Sequence, residues 1–240
     1  LGVPEKNAIE MEVDRINASG GIDGRTLDVI YEDDATDPAK AQAATTRLIE
    51  QEKVVAIIGA TGTGQTIGMR GDIDRAGIAQ VSMAGGNAVT AQFDKLVFQT
   101  PWPNRIVVPF TLFYLKKKGI TRVALLSDSG GYGKDGQQVV LDELGKYPIS
   151  LVADETFNAG DTDMTTQLTK IKAKGPQAIW VWAAGKEGAI IAKNFVDLQG
   201  PGTLKQPIRL IGAPGNGRKE FIEGAGPAAE GFTFAAGRIL

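Results

Sequence analysis

The apolar positions of this chain fall into two alternating rhythms. NAIEMEVDRIN spaces Ile9, Val13 and Ile16 by four and then three residues and stops at Ser19-Gly20-Gly21, which predicts an amphipathic helix ended by glycine. TLDVIYED then predicts a strand. Asp37 suits a helix N-cap and Pro38 the first helical position, so AKAQAATTRLIEQ reads as a helix. The alternation continues through strand VVAIIG, helix QTIGMRGDIDRAG, strand IAQVSM, strand KLVFQT and helix RIVVPFTLFYLKKKG, in which Pro109 either bends the helix or sits in its first turn. A second series follows: strand TRVALLSD, helix KDGQQVVLDELGK, strand ISLVADETF, helix TDMTTQLTKIKAKG, strand QAIWVWAA, helix KEGAIIAKNFVDLQG, then strands PIRLIGA and GFTFAAG. Apolar strands that alternate with helices predict an α/β fold of parallel sheets flanked by helices. The two series part near PWPNR, which predicts two lobes, 1–103 and 104–240, with the cleft between them as the ligand site.

Composition narrows the function. The 240 residues are 42% apolar, enough for a sizeable core, and a net charge of −2 with both signs dispersed offers no field for nucleic acid. Lys116-Lys117-Lys118 falls at a helix end, where cations complement the dipole. Cysteine and histidine are both absent, which removes thiol nucleophiles, Ser-His-Asp triads and imidazole zinc sites. No apolar stretch approaches the ~20 residues of a membrane span, and without a signal-like segment at Leu1 the chain reads as mature or trimmed. An enzyme is not expected, and neither is a cofactor or a metal.

GATGTGQT, Gly59 to Thr66, lies between a strand and a helix and is one residue from a phosphate-binding loop. Gln65 stands where such a loop needs lysine, and the next strand has no acid for a ribose, so neither nucleotide reading holds. Helix N-terminal N–H groups with Thr61, Thr63 and Thr66 suit a carboxylate; a plain strand-to-helix turn is the other reading. The loop Ala84-Gly85-Gly86-Asn87 ends the neighbouring strand, and Asn87 either donates to a ligand or caps the next segment. Glu32, Asp33, Asp34 and Asp37 read chiefly as a cap and a solvated strand end. Asp128 closes an apolar run like that of many α/β strands. Tyr132, between Gly131 and Gly133, either reaches the cleft or does not, and Trp102, between two prolines, lines the cleft or covers a hinge. Trp180 and Trp182 share one strand face and read as core.

Taken in order, these features resemble the extracytoplasmic solute-binding proteins of ABC importers, of the branched-chain amino acid type, along the whole chain. The INASGGIDG turn, DDATDPAKA, VVAIIGATGTGQT, AQVSMAGGNAVT, SDSGGYGKDG and the run around Gly212 to Gly215 fall in that family's register. The resemblance implies a type I periplasmic binding fold of two Rossmann-like lobes, joined by hinge crossovers, that close on a small solute and present it to a membrane ABC permease. It implies a periplasmic or lipid-anchored extracytoplasmic monomer. The carboxylate-binding loop would match Thr61, Gly62 and Thr63; a second contact loop Ala84, Gly85 and Gly86; and the cleft tyrosine Tyr132. An aromatic position falls near Ala184, which is not aromatic, and Leu1 falls where an apolar residue touches ligand.

Two departures shape the expectation. The family's ammonium-pairing acid aligns with Pro214, in GAPGNG. A buried ammonium without its carboxylate is disfavoured by several kcal/mol as an order of magnitude. The expected solute is therefore a carboxylate without an α-amino group and with an apolar or aromatic body, such as an aromatic acid or a 2-oxo acid. A branched-chain or other amino acid is the alternative, with Glu187 supplying the acid if its helix start turns into the cleft. A sensory domain of the same lobes is a further alternative, and a nucleotide-using α/β enzyme a distant one. The family also begins with a strand before the first helix and runs on past Leu240, so the chain reads as a fragment of a longer protein.

Overall fold

The computed structural model describes residues 2–199 and 208–237. Helix α1 spans Gly2–Ala18 and α2 Pro38–Glu50; strand β1, Ala56–Ile58, leads into helix α3, Thr63–Ala76. Strands β2, Ala79–Ser82, and β3, Val97–Gln99, follow, then helix α4, Asn104–Lys117. The second series comprises β4 Arg122–Asp128, α5 Gly131–Leu144, β5 Ser150–Phe157, α6 Thr165–Ala173, β6 Ala178–Trp182, α7 Glu187–Gln199, β7 Arg209–Gly212, α8 Lys219–Ala225 and β8 Thr233–Phe234. Among the described residues there is a three-stranded sheet in the order β1-β2-β3 and a five-stranded sheet in the order β5-β4-β6-β7-β8, parallel throughout.

Local chemistry explains most boundaries. The Asp37 carboxylate accepts from Ala39 N at 2.8 Å and Lys40 N at 3.3 Å, and Pro38 opens α2 with no N–H to satisfy. Pro109 lies inside α4, past its first turn, so it cannot donate the backbone bond that a helix makes to the carbonyl of Arg105. The basic triplet does end α4.

One predicted element is missing. TLDVIYED joins neither sheet among the described residues and has no assigned secondary structure. Helix α1 forms as expected, but its stripe of Ile9, Val13 and Ile16 is only half-buried and the helix contributes no core residue.

The second sheet sorts its side chains by alternation. Leu125, Trp180 and Ile211 stand opposite one another in register and pack on α4 and α5 through Val108, Leu112 and Val140. Ala124, Leu126, Ile179 and Val181 face the other way, onto Leu168 of α6, Ile191 and Phe195 of α7 and Phe221 of α8. Each large side chain so buried stabilises the fold by about 1.5–3 kcal/mol. Gly136 lets α5 approach this sheet, since a Cβ there would lie 2.0 Å from the Trp182 indole nitrogen. The first sheet buries one face, Ile57 and Val97 under Leu48 of α2 and Met69 and Ile73 of α3.

Candidate functional site

The carboxyl ends of both sheets open on one cleft of about 1220 Å³. Parallel α/β sheets place ligands there because helix N-termini point into that space. Here two such ends meet. The N-cap of α3 is Gly62 and that of α5 is Gly130, neither with a capping side chain, and a Cβ on Gly131 would lie 2.7 Å from Gly64 N. Glycine at 131 allows that approach, whereas a Cβ on Gly64 would meet Gly131 N at an ordinary 3.8 Å, and the positive ends of α3 and α5 converge at the cleft wall.

The GATGTGQT residues divide their work. Thr61, Gly62 and Thr63 line the cleft, as does Gln65. The Thr61 hydroxyl donates to the Glu5 carboxylate of α1, and Thr63 Oγ1 accepts from Gly86 N at 3.1 Å. Thr66 is turned away and is structural: its hydroxyl lies 3.1 Å from Ala60 O and 3.0 Å from Ser82 Oγ. In the second loop, Gly85 lines the cleft, while Ala84 is buried in the first core and Gly86 behind Thr63.

Tyr132 and Trp102 both line the cleft. Tyr132 bridges the two halves, since a Cβ on Gly85 would lie 3.2 Å from its ring, whose other side meets Trp182 at 5.9 Å between centroids. Burial raises the Tyr132 phenol above its ordinary value, reinforced by Asp128 and Asp135, so the ring enters as a neutral donor. Trp102 is 60% exposed, whereas Trp180 and Trp182 are wholly buried, the core role their shared strand face predicts. Ala184 and Pro214 line the cleft as well. Leu1 lies outside the described residues.

Several charged residues at the cleft carry no motif. Glu187 does turn its helix start inward: it lines the cleft, and its Oε1 accepts from Gly160 N at 3.1 Å. Asp128 lines the cleft and accepts from Gly130 N at 2.8 Å, so it caps α5; burial raises its carboxyl despite that bond and one from Gly133. Glu5 is raised too, by burial that outweighs the Thr61 bond. Arg218 reaches the cleft from the segment before α8, with Nη2 donating to Ala184 O at 2.5 Å and Nε buried without an acceptor. Burial lowers its guanidinium below the usual value. Arg218 escapes sequence reading because an arginine in a loop reads as solvated; its only signal is its place two residues past Asn216, buried at the close of the GAPGNG loop.

Beside the cleft, Asp135 of α5 ties the halves together. Its carboxylate accepts from Asn87 N at 2.9 Å, Ala88 N at 3.0 Å and Asn104 Nδ2 at 2.7 Å. Asn87 Oδ1 in turn accepts from Arg105 N at 2.8 Å, so its side chain serves the start of α4. Of the early acids, Asp33 and Asp34 close turns onto Ala35 N and Thr36 N, and Glu32 pairs with Arg47. Among the described residues no cluster suits a metal ion, and no helix is long and apolar enough to cross a membrane.

Comparison with known proteins agrees with this architecture. The model of the periplasmic binding protein family matches residues 1–238. The Leu/Ile/Val-binding protein homolog 3 of Brucella melitensis is 25% identical over 98% of the chain and 62% of its own length. The leucine-, isoleucine-, valine-, threonine- and alanine-binding protein of Pseudomonas aeruginosa is 25% identical over 92% and 58%. Among solved structures, the branched-chain amino acid transporter substrate-binding protein LivJ of Streptococcus pneumoniae, in complex with isoleucine, superposes with a TM-score of 0.85 at 29% identity, covering 97% of this chain and 65% of that one. The chain thus spans at most about two thirds of the length of these proteins. With the family model matching nearly every residue and both parallel sheets in place, the chain belongs to the periplasmic binding protein family.

Proposed function

We propose that the chain captures a small solute bearing a carboxylate and an apolar body, outside the cytoplasm, and presents it to a membrane ABC permease. The residues 1–103 and 104–240 act as two lobes that close about the crossover at 100–103. The observation that carries this reading is the convergence of the glycine-bounded starts of α3 and α5 on one cleft. An anion there gains from both dipoles, roughly 0.3–1 kcal/mol each at an exposed end and more when partly buried. Trp102, Ile106, Phe110 and Phe221 offer the apolar wall for the rest of the solute. Contacts from both sides make closure a population shift that the solute drives.

Glu187 at the cleft favours an amino acid, because an acid is then present to pair an ammonium. The branched-chain amino acids bound by relatives are the first candidates. A second reading, an aromatic or 2-oxo acid, is favoured by Pro214, which lines the cleft where the family otherwise places its ammonium-pairing acid.

A thermal-shift screen of leucine, isoleucine, valine and phenylalanine against their 2-oxo counterparts tests the proposal. A solute at 100 times its Kd stabilises by about 2.7 kcal/mol, a clear rise in midpoint. Stabilisation by the amino acids supports the first reading and by the oxo acids alone the second. No shift from either set contradicts solute capture.

A further inference from the structure

Among the described residues, and apart from the first turn of α4 on Pro103, the hydrogen bonds that join residues 1–103 to residues 104–240 all end on one loop, 85–90. Asn104 N donates to Gly85 O at 3.0 Å, and Arg105 donates to Asn87 Oδ1 through N at 2.8 Å and to Thr90 Oγ1 through Nη1 at 3.5 Å. Both residues directly follow the crossover at 100–103, so chain connectivity holds them near the loop however the halves are turned. Asp135 differs. It belongs to the next helix, α5, and its carboxylate takes the N–H groups of Asn87 at 2.9 Å and Ala88 at 3.0 Å. Those two bonds exist only for one setting of the halves. Buried Asn104 donates to the same carboxylate at 2.7 Å and so keeps it aimed at the loop.

Asp135 and Asn87 stand behind the cleft lining and act on it through their neighbours. Tyr132 lies one turn before Asp135 on α5, Gly85 lies just before Asn87, and a Cβ on Gly85 would meet the Tyr132 ring at 3.2 Å. Gly85 and Tyr132 line the cleft from opposite halves, and Asp135 fastens the loop of one to the helix of the other. The second meeting of the halves, Gly131 on Gly64, is backbone against backbone and adds no hydrogen bond. Bonds to a carboxylate are roughly twice as strong as neutral ones. A turn that carries α5 about 1 Å from the loop takes them out of hydrogen-bond range.

We infer that Asp135 is the latch of the shut cleft. It is a positioning residue that touches no solute, bonds the 87–88 backbone only when the halves are together, and so sets how long a solute stays bound. Opening hands the two N–H groups and the carboxylate to water, so the latch favours the shut state without fixing it. Apparent affinity follows the fraction of chains that are shut. The latch itself acts on the solute-free chain; its effect on residence time rests on the solute-binding reading above.

The chain has no cysteine, so cysteines introduced at exposed Gln42 of α2 and Asp142 of α5 carry spin labels at those two sites alone. Double electron–electron resonance then reads the separation of the halves. Asp135→Ala should move the solute-free distribution away from that of the wild type, and saturating leucine or 4-methyl-2-oxopentanoate should bring it back. In stopped-flow binding of the same compound, koff should rise about tenfold with kon unchanged. Asp135→Asn keeps an acceptor without the charge and should fall between the two. Because Asp135→Ala also lowers stability, the core truncation Ile179→Ala serves as control and should alter neither distances nor koff. An unchanged solute-free distribution in Asp135→Ala, a fall in kon in place of the rise in koff, or equal changes in Ile179→Ala overturns the inference. If neither compound binds the wild-type chain, the solute-binding reading loses its support, while the solute-free distances still decide the latch.

Discussion

Ile179 in β6 and Ile58 in β1 are the same residue on the same kind of parallel strand, yet the first is wholly buried and the second is 53% exposed. The difference lies in the layers. The second sheet has α4 and α5 on one face and α6, α7 and α8 on the other, so every residue of β6 is inside. The first sheet has α2 and α3 on one face only. On its other face Ile58, Val81 and Phe98 stand side by side in register, and Phe98 is 54% exposed. A parallel strand owes its burial to the helices that cover it, not to its own hydrophobicity.

The largest expected effect sharpens that contrast directly. Ile179→Ala should cost about 2–5 kcal/mol in urea unfolding, whereas Ile58→Ala should cost well under 1 kcal/mol, since truncation of an exposed side chain leaves no cavity. Equal costs would mean that the two sheets are equally covered. Next is the tie between the halves: Asp135→Ala removes three hydrogen bonds to one carboxylate and should destabilise by about 2–3 kcal/mol, leaving buried Asn104 short of a partner. A smaller effect is expected at the meeting of α3 and α5. Gly131→Val should lower solute affinity several-fold and also lower the unfolding midpoint, because its side chain would strike the Gly64 backbone and force α3 and α5 apart.

The pH response is smaller still and has a defined sign. Burial holds Asp128 above its ordinary value of 3.8, so the folded chain binds that proton more tightly than the unfolded one. The contribution is fully present below 3.8 and is lost as pH rises through the raised value. Asp128→Asn should flatten that fall in a series of urea midpoints; an unchanged slope would assign it to another group.

The contrast between the sheets also marks what the sequence makes legible. VVAIIG and QAIWVWAA are both unbroken apolar runs, and both form strands, because burying a parallel strand on even one face requires such a run. Helix starts were readable where chemistry is local, as at Asp37-Pro38. TLDVIYED carried the right alternation but lacked a partner, and strand identity depends on a neighbour that no local pattern reports. As cleft-lining residues, Thr61, Thr63, Gly85 and Tyr132 were legible from glycine-rich loops at strand ends, and Trp102 from its place between two prolines at the crossover. Arg218 was not, because its place at the cleft depends on its hydrogen bond to Ala184 O, a carbonyl 34 positions away in sequence. Ala84 and Gly86 share a loop with Gly85 yet stand behind it, since successive residues of an extended segment face opposite ways.

Trp102 offers the most direct test that solute enters the cleft between the two halves. It is the exposed tryptophan at the cleft, while Trp180 and Trp182 are already wholly buried, so acrylamide quenching reports on Trp102 almost alone. With the amino acid that gives the largest thermal shift at saturation, quenching should fall sharply in the wild-type chain and stay unchanged in Trp102→Phe. A solute that stabilises the protein yet leaves Trp102 as open to quencher as before would bind somewhere else, and would contradict the account.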